Sequence, residues 1–340
     1  MNHEIKRKIK AFKKDGTLTE KGYATRMNFI YNREDTKSFP FKLKEWDFYQ
    51  FHIGHYALQI TIGHLSYIGQ GGITLIDLDT GRKWGLNTLK AFRVPILDRN
   101  GEQPGYCEYK DDTLCLTYQV TNTERILKCT GADATYSSVE MHLVVDHDIN
   151  NDKMVIAIPF AEPTQFYLNY KENYYDMKGF VRFVGVNEAD SIEVNFDGAT
   201  GVIDWGRGIW PYSHEWFWGN LTGHIEEAPF AFNIGWGFGD LRRATENMYF
   251  YKKKAYKLGT LHTEWDDNDL MKVQHIYDKE GKFDVTFTPF YNNHTENKFL
   301  IVDTECNQVF GTFSGSILTD EGRIEFHDIL AFVEHAINNW

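Results

Sequence analysis

Apolar and polar residues alternate with a period of two over much of this chain. From Val139 to Val145 the odd positions are all apolar while most even positions are polar, and the stretch from Phe283 to Phe287 repeats the pattern. Successive side chains of a β-strand point to opposite faces, so this period is typical of strands that bury one face. The alternation predicts a predominantly antiparallel β protein.

Short turn sequences separate these runs. The segments 79–81 (Asp-Thr-Gly) and 320–322 (Asp-Glu-Gly) each end in glycine, which tolerates the positive φ of hairpin turns. Residues 312–318 and 324–330 therefore form one predicted hairpin. The last stretch, 326–340, fits a helix as well as a continuing strand, and we predict a strand.

Helical signals are few, and residues 4–14 and 239–247 are the two predicted short helices. Many short strands with glycine-rich turns favour a sandwich or barrel over parallel βαβ units. Polar turn residues cluster at 187–201, and we place a domain boundary there. The predicted organisation is an N-terminal arm with a short helix (1–27), a first β domain (28–195) and a second β domain (196–340).

The charge balance narrows the classes of partner. The formal net charge is −12, whereas nucleic-acid binding needs a clustered positive field. One basic block, residues 6–14, suits a solvated amphipathic helix better than an arm for a membrane or nucleic acid. We predict a small-molecule ligand and no nucleic-acid partner.

The sequence also carries information on the cellular setting. It has no apolar run of roughly 18 residues, so no membrane span is predicted, and no apolar segment follows the charged N-terminus as in a secretory signal. Four cysteines without Cys-x-x-Cys spacing indicate free thiols and a cytoplasmic setting. The oligomeric state stays open. The cysteines are Cys107, Cys115, Cys129 and Cys306.

The most unusual segment is 201–223, where titratable side chains stand between tryptophans. A carboxyl group among indoles lies in a low dielectric, where its pKa rises and general acid chemistry near neutral pH becomes accessible. A structural strand crossing with a buried ion pair is the alternative. The candidate catalytic residues are Asp204, Glu215, His214 and Arg207, and the candidate substrate contacts are Trp210, Tyr212 and Trp218.

The segment 46–64 combines polar and apolar side chains on the same faces. A period of two places Trp46, Phe48, Gln50 and His52 on one face and Leu58, Ile60, Ile62 and His64 on another. Its histidines lack a carboxylate motif of metal-binding spacing, so we predict hydrogen-bonded core or pocket histidines and no metal site. His52 and His64 are candidate substrate contacts.

Two further segments contribute candidate substrate contacts. Tyr170 and Lys171 lie in a stretch rich in tyrosine and asparagine, where the lysine is either an anion contact or a surface side chain. Glu334 stands among apolar residues, either in a pocket or on an exposed face. Motifs for phosphate loops, dinucleotide binding and serine hydrolases are missing from the sequence, and we predict no cofactor.

Several of these segments resemble a bacterial and fungal family known as domain of unknown function 2804. The resemblance extends from about Leu18 to the end of the chain, and its most specific part is Asp-Trp-Gly-Arg-Gly at 204–208. The family's name carries no activity. The segments that carry the resemblance are 51–54, 63–67, 159–160, 166–171, 204–212 and 332–335, together with Trp340.

A more distant resemblance is carried by residues 214–219, His-Glu-Trp-Phe-Trp-Gly. This segment is similar to the His-Asp-His-Asn-Trp-Gly type of the group that contains carotenoid hydratases, AttH-like proteins and fungal Diels–Alderases. Glu215 stands where that group has Asp, and Trp-Phe replaces the following His-Asn. The resemblance implies two tandem lipocalin-like barrels or half-barrels with cofactor-free chemistry in a cavity between or inside them.

These observations predict a cofactor-independent acid–base enzyme, of hydratase, other lyase, cyclase or hydrolase type, with a sugar-like or terpenoid-like substrate. In this hypothesis Asp204 or Glu215 is the general acid, His214 orients or shuttles the proton, and Arg207 holds Asp204 or an anionic substrate. Two carboxylates around a sugar stacked on tryptophan also suit a glycoside hydrolase. A non-catalytic carrier of a small ligand is the third interpretation.

Overall fold

The computed structural model describes residues 2–37, 41–266, 268–299 and 302–339. Over these residues the chain consists of β-strands and connecting turns, with two 3₁₀ turns, Arg33–Asp35 and Glu188–Asp190, and no α-helix. The predicted all-β class is confirmed.

The strands are numbered in chain order. The first ten are β1 (Ile9–Lys10), β2 (Gly22–Ala24), β3 (Phe29–Ile30), β4 (Lys44–Ile53), β5 (Tyr56–His64), β6 (Ile68–Asp77), β7 (Lys83–Ala91), β8 (Gly105–Lys110), β9 (Leu114–Val120) and β10 (Glu124–Gly131). The next eight are β11 (Tyr136–Asp146), β12 (Met154–Pro159), β13 (Phe166–Tyr174), β14 (Met177–Gly185), β15 (Ile192–Asn195), β16 (Thr200–Ile209), β17 (Ser213–Ile225) and β18 (Ala228–Trp236). The last are β19 (Met248–Tyr251), β20 (Lys254–Lys257), β21 (His262–Thr263), β22 (Gln274–Tyr277), β23 (Phe283–Phe299), β24 (Val302–Thr319) and β25 (Gly322–Asn339).

The first two large sheets enclose one core. An eight-stranded sheet has the order β2-β12-β13-β16-β4-β5-β6-β7, and a six-stranded sheet has the order β15-β14-β11-β10-β9-β8. Their facing apolar side chains pack together, for example Tyr49 and Ile60 of the first sheet with Leu116 and Val139 of the second. Burial of these alternating residues explains why the period of two predicts the strands.

A nine-stranded sheet in the second half of the chain has its own core. Its order is β20-β19-β18-β17-β25-β24-β23-β22-β21, and Phe232, Phe283, Phe313 and Val333 pack on its inner face. The outer faces of this sheet and of the eight-stranded sheet meet in a further apolar cluster that contains Val202, Trp218 and Phe332. The candidate site lies at this meeting of the two sheets.

The local predictions for the C-terminal half are confirmed. Strands β24 and β25 form the predicted hairpin, and residues 326–339 continue as a strand. Gly81 and Gly322 adopt φ of 71° and 107° in the predicted turns. Trp340, which contributes to the family resemblance, lies outside the described residues.

Both helix predictions are wrong. Within residues 4–14, Ile9–Lys10 pairs with Phe29–Ile30 as a strand, so backbone pairing to a distant segment replaces the local helix. Residues 239–247 form turns, where the Asn247 side chain bonds to the backbone of Gly235 and Gly259. Side-chain bonds to the backbone compete with helix formation in this way.

The division of the chain at residue 195 stays a prediction. Strand β16 pairs with β4 and β13 in the eight-stranded sheet, and the chain enters the nine-stranded sheet at β17. All four cysteines carry free thiols. No helix in the described ranges has the length and hydropathy needed to cross a membrane.

Candidate functional site

Strand alternation on β13 and β16 sends a row of polar side chains out of the first core. Tyr170 and Glu172 point into that core, whereas Asn169 and Lys171 point towards the nine-stranded sheet. Lys171 is the direct cross-strand partner of Asp204 on β16. Directly opposite residues of an antiparallel pair share a face, so the lysine and the carboxylate meet at the contact between the sheets.

A buried charge cluster forms around Lys171. Its Nζ lies 3.4 Å from an Asp204 oxygen, 3.0 Å from Glu246 Oε2 and 2.7 Å from Asn169 Oδ1. Burial opposes the ammonium form, but the charges of Asp204 and Glu246 prevail and raise the pKa of Lys171. Glu246 precedes β19 of the nine-stranded sheet, so this cluster joins the two sheets.

The Asp204 carboxylate is held by donors on both of its oxygens. Asn169 Nδ2 donates to Oδ1, and Trp46 Nε1 donates to Oδ2 at 3.2 Å. Since Trp46 and Asn169 belong to the strands on either side of β16, the sheet itself fixes the orientation of this carboxylate.

Glu334, on β25 of the nine-stranded sheet, lies near Asp204 and Lys171 at the contact between the two sheets. Trp216 Nε1 donates to its Oε1 at 2.7 Å, and Gln308 Nε2 donates to its Oε2 at 3.2 Å. Burial raises the pKa of Glu334, and the charge of Asp204 adds to the rise against the opposing effects of the two hydrogen bonds. The side chain is half-buried. We call the place where Glu334 and Asp204 approach each other, at the contact between the two sheets, the recess.

A chain of amides extends from Glu334 across the sheet contact. Gln59 Nε2 donates to Gln308 Oε1 at 2.6 Å and to Gln50 Oε1 at 3.0 Å. Gln50 Nε2 in turn lies 3.1 Å from His52 Nε2. Burial lowers the pKa of His52 to about 4, so this imidazole is neutral at physiological pH.

Aromatic rings line the recess. Trp46, Phe48 and Trp216 are half-buried, whereas Trp218 is buried with its Nε1 donating to Asn233 at 2.6 Å. Lys171 Nζ lies 4.8 Å from the centroid of the Trp218 ring, within cation–π range. Two surface clefts of about 410 and 380 Å³ lie elsewhere, around Thr245–Lys282 and around Arg93–Asp112.

Three of the predicted site residues lie inside the first core instead. Arg207 is fully buried, with its Nη2 2.8 Å from Asp47, and points to the opposite face of β16 from Asp204. Tyr170 donates to Glu172 at 2.8 Å, and His64 Nδ1 lies 2.8 Å from an Arg33 nitrogen.

The core around Arg207 is itself rich in charge. Glu45 and Asp98 lie within 3.8 Å of the guanidinium, and burial together with the charge of Asp47 raises the pKa of Asp98 to about 7. Burial opposes ionisation of Glu45, but hydrogen bonds and the nearby Arg207 lower its pKa to about 2. This network compensates buried charge within the fold.

The segment 214–218 is divided between two sides of β17. Trp216 and Trp218 face the recess, whereas Glu215 faces the other side, is exposed, and lies 3.6 Å from His335. His214 accepts from Trp210 Nε1 at 3.0 Å, and burial lowers the pKa of this histidine to about 4.

The two remaining aromatic candidates lie near His214. Trp210 is buried against Trp46 and Tyr167, and Tyr212 is 55% exposed. The recess therefore brings together Asp204, Lys171, Glu334, Trp218 and His52 from the predicted set.

Sequence reasoning missed several residues of the recess: Asn169, Asn233, Glu246, Gln59 and Gln308. A signal for Asn169 existed, because residues 167–171 alternate as β13 requires. Glu246 lies in a turn segment for which the sequence predicts a helix, so its position depends on tertiary structure alone.

Two groups of metal-type ligands occur within the described ranges, Asp47-Asp98-Cys107 and His55-Asp77-Asp79. Neither lies in the recess, and Arg207 already pairs with Asp47 in the first. The histidines of residues 52–64 do not converge, since His52 bonds to Gln50 and His64 to Arg33.

The fold is similar to that of CghA, in a structure with Sch210972, at 9% identity and a TM-score of 0.53 over 88% of each chain. An AttH-like protein of Nitrosomonas europaea aligns at 10% identity and a TM-score of 0.47, over 90% of this chain and 95% of that one. Kievitone hydratase from Nectria haematococca aligns at 12% identity and a TM-score of 0.45, over 98% of both chains. The predicted tandem lipocalin-like architecture is confirmed. No curated protein matches the sequence.

One family model covers nearly the whole chain. It matches residues 2–340, and its description is Domain of unknown function (DUF2804). The resemblance carried by the segments around 51–67, 159–171, 204–212 and 332–335 is thereby confirmed. The chain belongs to the DUF2804 family.

Proposed function

We propose that this chain is an enzyme that performs cofactor-independent acid–base chemistry, of hydratase or other lyase type, on a small organic molecule in the recess between the two sheets. The observation that carries the proposal is the pair Glu334 and Asp204. Burial raises the pKa of Glu334, whereas Asp204 lies 3.4 Å from the Lys171 ammonium. Two carboxyl groups in such different environments are suited to act as one acid and one base.

Each group has a distinct role in the proposed elimination. Asp204, as carboxylate, takes a proton from a substrate carbon while Glu334, as carboxylic acid, gives its proton to the leaving hydroxyl. The products are a carbon–carbon double bond and water, and exchange with solvent restores both protonation states. Hydration is the same sequence in reverse.

The neighbouring side chains position these two groups. Lys171 and Asn169 hold Asp204, and Trp216 and Gln308 hold Glu334. The rings of Trp46, Trp216 and Trp218 restrict water, which strengthens electrostatic interactions inside the recess. CghA, which shares the fold, has a structure with the compound Sch210972, and a small organic ligand in this fold agrees with the proposal.

The first test measures ligand binding by thermal shift, because a ligand that binds only the folded state raises its apparent stability. The panel contains glycosides, sugar acids, polyprenoids and hydroxylated aromatic compounds. Wild type is compared with Asp204→Asn and Glu334→Gln. We expect both variants to keep binding a hit while turnover falls by about 10²–10⁴-fold.

Glu215→Gln is the matched control, because Glu215 is exposed on the other side of β17. It should turn over the hit like wild type. If wild type binds and releases every hit unchanged, the protein is a carrier and the proposal fails. If only glycosides are hydrolysed, the same carboxyl pair serves a glycoside hydrolase and the lyase assignment is wrong.

A further inference from the structure

Exposed apolar side chains are concentrated in one short segment at the end of β7. Leu89, Phe92, Val94 and Ile96 are 65%, 80%, 67% and 52% exposed, although they lie within eight consecutive residues. We call these four side chains the apolar ridge. Single exposed apolar residues are common, but such a concentration indicates an interaction surface.

The backbone holds Phe92 outward at an energetic cost. Its φ is 58°, a left-handed conformation that bulky side chains rarely adopt. The Phe92 amide donates to Tyr67 O at 2.8 Å, and the adjoining Arg93 carbonyl packs so closely on Gly69 that a Cβ there would come within 2.4 Å of it. Strain that the surrounding structure maintains is often found at functional positions.

The ridge carries positive charge in an acidic protein. Lys90 and Arg93 stand between its apolar residues, are exposed, and form no ion pair with any residue that the structure describes. The segment 89–97 contains no acidic residue, whereas the whole chain has a net charge of −12. The cleft beside the ridge is lined by Arg93, Val94 and Ile96 together with Lys110 and three acidic residues, Glu108, Asp111 and Asp112. The amides of Thr113 and Leu114 donate to the Asp111 carboxylate, and the Tyr106 hydroxyl donates to Glu108.

We propose that the apolar ridge docks on an anionic lipid bilayer, with its four apolar side chains in the interface and Lys90 and Arg93 against the headgroups. Amphipathic segments with basic residues between apolar ones bind membranes in this manner. The four side chains expose roughly 500 Å², which is below the ~800 Å² that each partner of a stable protein complex contributes. Four apolar side chains with this total exposed area suit insertion into lipid better than a stable protein interface.

The test is co-sedimentation of the full chain with phosphatidylcholine vesicles that contain or lack phosphatidylserine. Wild type should sediment with the anionic vesicles, and Val94→Asp should weaken this binding at least about tenfold because it places a carboxylate in the interface. Val186→Asp is the matched control, since Val186 is also 67% exposed but lies elsewhere. It should bind like wild type.

Two further variants separate the apolar contribution to lipid binding from the electrostatic one. Phe92→Asn should weaken binding without lowering thermal stability, because asparagine tolerates the left-handed conformation. Replacing Lys90 and Arg93 by glutamine should remove the preference for phosphatidylserine. The proposal is overturned if wild type sediments with neither kind of vesicle, or if Val94→Asp and Val186→Asp bind the anionic vesicles equally well. It is also overturned if sedimentation velocity shows that the ridge joins two copies of the chain. None of these outcomes depends on the recess or its chemistry.

Discussion

At the scale of single residues, the raised pKa of Glu334 suits its proposed role as an acid, but it also means that the ionised form of this side chain destabilises the folded state. Burial raises the pKa of Glu334, so the folded state binds its proton more tightly than the unfolded state does. The resulting stabilisation is complete at acidic pH and is lost as pH rises through the folded-state pKa. Turnover should fall over the same pH range, because the proposed acid loses its proton there.

Glu334→Gln tests both consequences, because an amide cannot ionise. We expect the variant to lose turnover and to unfold at higher urea than wild type at pH values above the folded-state pKa of Glu334, with the difference shrinking as pH falls below it. Urea unfolding over a pH series measures this, with Glu215→Gln as the exposed control. A constant difference at every pH would show that ionisation of Glu334 is not the cause.

At the scale of elements, strand alternation explains which site residues could be predicted. The face shared by Trp46, Phe48, Gln50 and His52 follows from a period of two, and the structure places it towards the recess. The same period places Asp204 and Arg207, three residues apart on one strand, on opposite faces. Arg207 therefore pairs with Asp47 in the first core and not with Asp204, although Asp204 is closer in sequence.

Alternation on β13 also sends Glu172 into the first core, beside Lys171 on the outer face. Burial opposes its ionisation, but Arg125 at 3.0 Å and the nearby His147 lower the pKa of Glu172 to about 2. Its stabilising contribution is therefore complete above the usual glutamate range and is lost as pH falls towards about 2.

Glu172→Gln should lower the free energy of unfolding at neutral pH by about 3–5 kcal/mol, because it leaves the buried Arg125 without its carboxylate. Urea unfolding measures the change. Glu140→Gln, which breaks the half-exposed pair with Arg182, should cost less than about 1 kcal/mol. If the two variants lowered the free energy of unfolding equally, burial would not determine how much these ion pairs stabilise the protein.

At the scale of the whole molecule, the sequence predicts the fold class better than it predicts the site. The all-β class and the tandem architecture follow from periodicity and from the family resemblance. The recess collects Lys171, Asp204, Glu246 and Glu334 from four distant segments, and periodicity does not reveal which outer faces meet. Only the packing of one sheet on the other brings these four charges together.

Lys171 should therefore contribute to the contact between the sheets as well as to the site, because its ammonium bridges Asp204 of one sheet and Glu246 beside the other. Lys171→Met leaves two buried carboxylates without their cation and should lower the free energy of unfolding by about 3 kcal/mol or more. Adding Glu246→Gln should recover part of that loss, giving a coupling of at least about 0.5 kcal/mol in a double-mutant cycle. Lys252→Met, which breaks an exposed pair with Glu321, should lower the free energy of unfolding far less than Lys171→Met does. Additive losses at Lys171 and Glu246 would show that the ion pair does not couple the two sheets.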